Sequence, residues 1–226
     1  MGLNLTKNYS INFSLPKRRI KLIKFIIIHY TGMKSETRAI KKLVNFDSKV
    51  SSHYFIKNNG QVIAMVPDAY EAWHAGRSSW GKYNFLNKYS IGIEISNPGH
   101  QHGYKKFKLN QIISLKRLIK FLIKKYNIKS RHVLGHSDIA PLRKGDPGHK
   151  FPWQKLSKNG LGIWYKKKNI KIPSRGKNSL KYLFFKNLKF LGYRYFNKKF
   201  RRPSDNRIII AFQSKYLPRN ISGYID

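Results

Sequence analysis

The run Leu22 to His29, LIKFIIIH, constrains the fold more than any other stretch of this chain. It is apolar and β-branched at most positions, the pattern of a strand covered on both faces, and Thr31-Gly32 ends it. A strand of that kind requires layers above and below it, so the rest of the chain must supply them. His29 is expected at the strand's end. A second segment, SIGIEIS over 90–96, alternates. Period two puts Ile91, Ile93 and Ile95 on one face and Gly92, Glu94 and Ser96 on the other, so Glu94 points away from the apolar side.

Around these strands the covering elements are legible. Glu36 to Phe46 reads as a helix packing Ile40, Leu43 and Val44. His53 to Lys57, the turn Asn58-Asn59-Gly60 and Gln61 to Val66 read as a hairpin, with His53 assigned to the fold. Asn110 is the expected N-cap of a strongly periodic helix running to about Tyr126, with Ile112, Ile113, Leu115, Leu118, Ile119, Leu122 and Ile123 on the broad stripe that should lie flat on the sheet. His132 to Leu134 is a short strand ending at Gly135-His136. Strands interleaved with helices give an α/β class with a mixed central sheet flanked by helices. Residues 1–165 are expected to form the main domain. Lys166 to Asn178, basic and polar with Pro173 and Gly176, reads as a linker. Residues 179–226 follow as a small helical module with stripes at Leu180, Leu183, Phe184, Leu188, Leu191 and at Ile208 to Tyr216.

Composition narrows the chemistry. The chain carries 47 Lys and Arg against 9 Asp and Glu, a formal charge of +38. Such a charge points to polyanions, yet the bases run along the whole chain and no nucleic-acid recognition motif accompanies them, so no specific nucleic acid is expected as a partner. The few carboxylates are more informative, because burying one is costly unless a cation or metal compensates it. Glu94 lies between isoleucines, and Asp138 and Asp146 lie in the Gly/Pro-punctuated stretch VLGHSDIAPLRKGDPGHKFPW that begins at Val133. With no cysteine, a metal site must be built from His and carboxylate. Catalytic zinc takes three protein ligands and leaves a fourth position for water. His29 and His136, each following a strand, would meet at one sheet edge, and Asp146 returns on the loop holding Pro141 and Pro147. His100, His102, His132 and His149 carry no assignment.

The segments IIIHYTG, SSHYFIKNNG, EAWHAG, SIGIEISNPG and GHSDIAPLRKGDPG are similar to the zinc-dependent N-acetylmuramoyl-L-alanine amidases of the AmpD/AmiD kind. These share a fold with T7 lysozyme and the peptidoglycan recognition proteins, and the resemblance covers about Lys24 to Trp164. It implies a Zn2+ site at His29, His136 and Asp146, a catalytic acid/base at Glu94 and an oxyanion-stabilising Lys144. It also implies groove residues at Trp73 and His74 and hydrolysis of the lactyl-L-alanine amide in peptidoglycan or soluble muropeptides. A binding protein of the same fold that does not cut peptidoglycan is the alternative. The tail RIIIAFQSKYLPRNISGYID resembles the peptidoglycan-binding module of AmiD-type enzymes and is expected to be cut short at Asp226. No stretch reads as a signal peptide, lipid-anchoring cysteine or transmembrane segment, so the expected location is the cytoplasm, with periplasmic export by another route as the alternative.

Overall fold

The structure is a computed structural model that describes residues 5–166, 177–196 and 202–225. Its strands are β1 (Leu5–Lys7), β2 (Phe13–Ser14), β3 (Phe25–Tyr30), β4 (Tyr54–Ile56), β5 (Val62–Ala64), β6 (Glu71–Ala72), β7 (Ser79–Trp80), β8 (Tyr83–Asn84), β9 (Ser90–Ile95) and β10 (Val133–Gly135). Its α-helices are α1 (Glu36–Val44), α2 (Leu109–Tyr126), α3 (His136–Ile139), α4 (Trp153–Ser157), α5 (Lys177–Leu191) and α6 (Asp205–Tyr216). The central sheet runs β1-β5-β4-β9-β3-β10, and only the β4-β5 hairpin in it is antiparallel. The mixed α/β sheet expected from the sequence is therefore observed.

Strand β3 is buried from Phe25 to His29, as a two-faced strand must be. Ile26 and Ile28, with Ile91, Ile93 and Ile95 of β9, pack under Leu115, Leu118, Ile119 and Leu122 of α2. Phe25 and Ile27 face the other way and join Leu134 and Ile139 in a second core. That second core is closed by Phe185 and Leu188 of α5, Tyr193, and Ile208 and Ile209 of α6. The C-terminal helices thus supply the second covering layer that β3 requires. By alternation, His29 and Glu94 project from this second face, opposite α2.

Several boundaries differ from those read in sequence. Leu22 belongs to a turn, closed by its N–H donating to the Arg19 carbonyl at 2.9 Å, and β3 begins only at Phe25. Helix α1 stops at Val44, and Phe46–Ser48 form a separate 3-10 turn. Helix α2 starts at Leu109, one position before the expected cap at Asn110, because the Gln111 side chain reaches back to accept the Lys108 N–H at 2.9 Å. The short strand before His136 is Val133–Gly135, shifted by one residue. The segment after it is one helical turn, His136–Ile139, where a loop was expected. Most of the linker expected at 166–178 lies outside the described residues. Among the described residues no helix is long and apolar enough to cross a membrane.

Candidate active site

The parallel register of β3 and β9 sets His29 opposite Glu94. Strand β10 lies on the other side of β3 and hands the chain to His136. Asp146 returns to the same point, its carbonyl accepting the Ser137 N–H at 2.8 Å. Three ligand atoms converge as a result. His29 Nδ1 and His136 Nδ1 are 2.9 Å apart, and each is 3.1 Å from Asp146 Oδ2. All three residues are buried.

Hydrogen bonds behind the two imidazoles decide where their protons sit. Ser90 Oγ donates to the Leu86 carbonyl at 2.5 Å, so it accepts from His74 Nε2, 3.2 Å away. His74 Nδ1 is then an acceptor, and it takes the His29 Nε2 proton at 3.0 Å. His136 Nε2 donates to the Ala75 carbonyl at 3.2 Å. Both Nδ1 atoms consequently carry lone pairs aimed at one point beside a carboxylate oxygen. Three acceptors packed this closely repel one another unless a cation lies between them.

The geometry fits one. Ligands about 2.0–2.1 Å from a tetrahedral ion lie about 3.3 Å from each other, close to the observed triangle. The ionisation states agree. Burial, and next the proximity of His136, lower the His29 pKa to about 4, so its imidazole is neutral at neutral pH. Burial alone would raise the Asp146 pKa, but His136 and His29 outweigh it and hold the carboxyl well below the usual range. His29, His136 and Asp146 are the only group of this kind found among the described residues.

Glu94 flanks a groove of about 460 Å³ lined by the three ligands and by Trp73, His74 and Lys144. Its Oε2 is buried and has no hydrogen-bond partner. Burial, and next repulsion from Asp146, raise its pKa to about 8. Lys144 stands exposed at the rim, and its charge opposes part of that rise. Trp73 is half-buried, its indole N–H donating to Ser14 Oγ at 2.9 Å, so one edge of the ring is committed to the fold.

His74 lines the groove, and its ring is at the same time tied into the fold. Both ring nitrogens are engaged by protein partners, and the ring lies on β9 where a Cβ on Gly92 would come within 2.4 Å of it. The glycine of SIGIEIS thus makes room for the imidazole that orients His29. His53 is buried, its Nδ1 accepting the Gly92 N–H at 3.0 Å, in keeping with its assignment to the fold. Sequence reasoning missed Arg143 and His100 in the groove lining. Arg143 adjoins Lys144 in the motif, and its guanidinium donates to the Ala75 and Arg77 carbonyls. His100, held by Tyr30 Oη at 2.8 Å, follows the SIGIEISNPG segment by one residue.

The chain is similar to proteins of known family and structure. The family model described as N-acetylmuramoyl-L-alanine amidase matches residues 18–149. The amidase AmiD of Escherichia coli strain K12 is 36% identical over 219 residues, covering 90% of this chain and 78% of that protein. The structure of that enzyme in complex with anhydro-N-acetylmuramic acid-L-Ala-D-gamma-Glu-L-Lys superposes with a TM-score of 0.78 at 32% identity, over 94% of this chain and 87% of that one. AmpDH3 from Pseudomonas aeruginosa, in complex with anhydromuramic pentapeptide, gives a TM-score of 0.79 at 28% identity, over 94% and 89% of the two chains. A family match over more than half of the sequence, joined by a relative aligned along nine-tenths of it, shows that the chain belongs to the Amidase_2 family of N-acetylmuramoyl-L-alanine amidases.

Proposed function

We propose that the chain hydrolyses the amide between the lactyl group of N-acetylmuramic acid and L-alanine in muropeptides, with zinc as the resident metal. The observation that carries this reading is the triangle of His29 Nδ1, His136 Nδ1 and Asp146 Oδ2 beside the unpartnered carboxylate of Glu94. Two imidazoles and one carboxylate are a zinc donor set that leaves a position open. The metal when bound supplies a Lewis acid that polarises the lactyl carbonyl and acidifies the attacking water.

The protein groups do the rest. His29, His136 and Asp146 hold the centre, and His74 and the Ala75 carbonyl fix the two rings. Glu94 takes the proton of the attacking water as its oxygen bonds to the acyl carbon. When the C–N bond breaks, the same carboxyl delivers that proton to the L-alanine nitrogen. A group titrating near 8 suits both halves of this task at neutral pH. Lys144, across the rim, stabilises the negative charge that develops on the carbonyl oxygen. The relatives solved with anhydromuramic peptides support muropeptides of that class as substrates.

Chromatography of a 1,6-anhydro muropeptide tests the reading. The protein should release free stem peptide, lose that ability in a chelator and regain it when zinc is restored. Retention of full activity after exhaustive chelation would overturn the metal-dependent assignment.

A further inference from the structure

Asp138 lies two residues beyond the ligand His136 and is 1% exposed, yet the proposed reaction leaves it without a task. Its Oδ2 accepts the Gly135 N–H at 2.8 Å, which fixes the turn entering α3. The same oxygen is 2.6 Å from Lys215 Nζ of α6. Its Oδ1 accepts the Tyr193 hydroxyl at 2.5 Å. Lys215 is 3% exposed and lies 4.2 Å from the centre of the Trp153 ring, and Tyr193 is fully buried against Trp80. A buried carboxylate deprived of its cation is strongly destabilising, so these partners are not interchangeable with solvent. Arg207 of α6 adds a hydrogen bond to the Leu142 carbonyl at 2.5 Å, holding the loop that leads to Lys144 and Asp146.

We propose that the C-terminal helices act as a clamp on the metal-ligand segment, with Lys215 and Tyr193 as positioning residues that act on His136 through Asp138. Gly135 is pinned from one side by Asp138, and Ser137 from the other by the Asp146 carbonyl, so His136 is held between two fixed amides. The module is then an integral part of the catalytic unit. It completes the second face of the sheet and sets the ligand geometry, so it is not a detachable wall-binding unit. This inference rests on the metal reading above.

The test uses the full chain carrying Lys215→Met, with Tyr193→Phe as the milder variant that deletes one oxygen. Hydrogen exchange of the 135–137 amides should accelerate while β9 stays protected. Zinc affinity, read by competition with a chromophoric chelator, should fall about tenfold or more, the usual cost of disturbing a ligand's supporting shell. The kcat on a muropeptide should fall with KM nearly unchanged. Adding Asp138→Asn, which removes the stranded charge but keeps an oxygen for the Gly135 N–H, should restore much of the affinity. Exchange and zinc affinity within about twofold of wild type in both single variants would overturn the clamp. Should Lys215→Met fail to fold, Tyr193→Phe is judged by the same criterion. A wild-type chain that binds no zinc defeats the metal reading instead, and the exchange rates still decide whether the clamp exists.

Discussion

Replacing Glu94 with Gln should abolish turnover and, at alkaline pH, make the metal-free protein more stable. The carboxyl titrates near 8 in the folded chain against an ordinary value of 4.5, chiefly because it is buried and next because it faces Asp146. Below about pH 4.5 it is protonated in both folded and unfolded states and its contribution is intact. As the pH rises toward 8, the unfolded chain ionises while the folded one holds its proton, so stability drains away over that window. For a wholly buried group the gap would be worth about 5 kcal/mol, and the opening of this side chain toward the groove reduces it to about 2 kcal/mol. Glutamine is neutral throughout and loses nothing. Buried histidines act in the opposite sense. His29, lowered to about 4, and His53, lowered to about 3, contribute stability above 6.5 that is lost as the pH falls. These contributions are common to both proteins and cancel in the difference. Urea unfolding in a chelator at about pH 5 and about pH 8.5 should therefore show the advantage of the variant growing by about 2 kcal/mol. That corresponds to a Tm gain of about 4–8 °C for a chain of this size. Parallel pH profiles would refute a raised Glu94 pKa. A variant retaining more than about a hundredth of the wild-type kcat would refute its role as general base.

Other perturbations probe separate parts of the account. His74→Ala removes the acceptor of the His29 Nε2 proton and should weaken zinc binding about 10–100-fold in a chelator competition; unchanged affinity would contradict the hydrogen-bond chain through Ser90. Leu118→Ala opens a cavity between α2 and the sheet, and urea unfolding should show a loss of about 2–5 kcal/mol with zinc affinity intact. Raising the ionic strength should lower kcat/KM on anionic muropeptides if the charge of +38 aids encounter, and a flat salt profile would exclude that contribution.

The central sheet and its site were legible because their signals are local. Alternation in SIGIEIS places Glu94 on the face opposite its isoleucines, and the apolar run ending in His29 marks a buried strand end, as found. The convergence of His29, His136 and Asp146 follows from two such strand ends and a loop carboxylate. What the sequence concealed depends on distant side chains. Lys215 reads as a surface base on a lysine-rich chain, and its partner Asp138 lies 77 residues away. His74 could not be ordered behind His29 without knowing that Gly92 leaves room for its ring. The C-terminal stripes were visible, but the face they cover is set by the exposed underside of β3, which no periodicity in α5 or α6 encodes.

The most direct test of the central claim is hydrolysis of a muropeptide in water enriched in oxygen-18, with mass spectrometry of both products. The account predicts one heavy oxygen in the muramic acid lactyl carboxylate, none in a stem peptide that begins at L-alanine, and no products from Glu94→Gln although its zinc remains bound. Cleavage at any other bond, or label in the peptide, would contradict it.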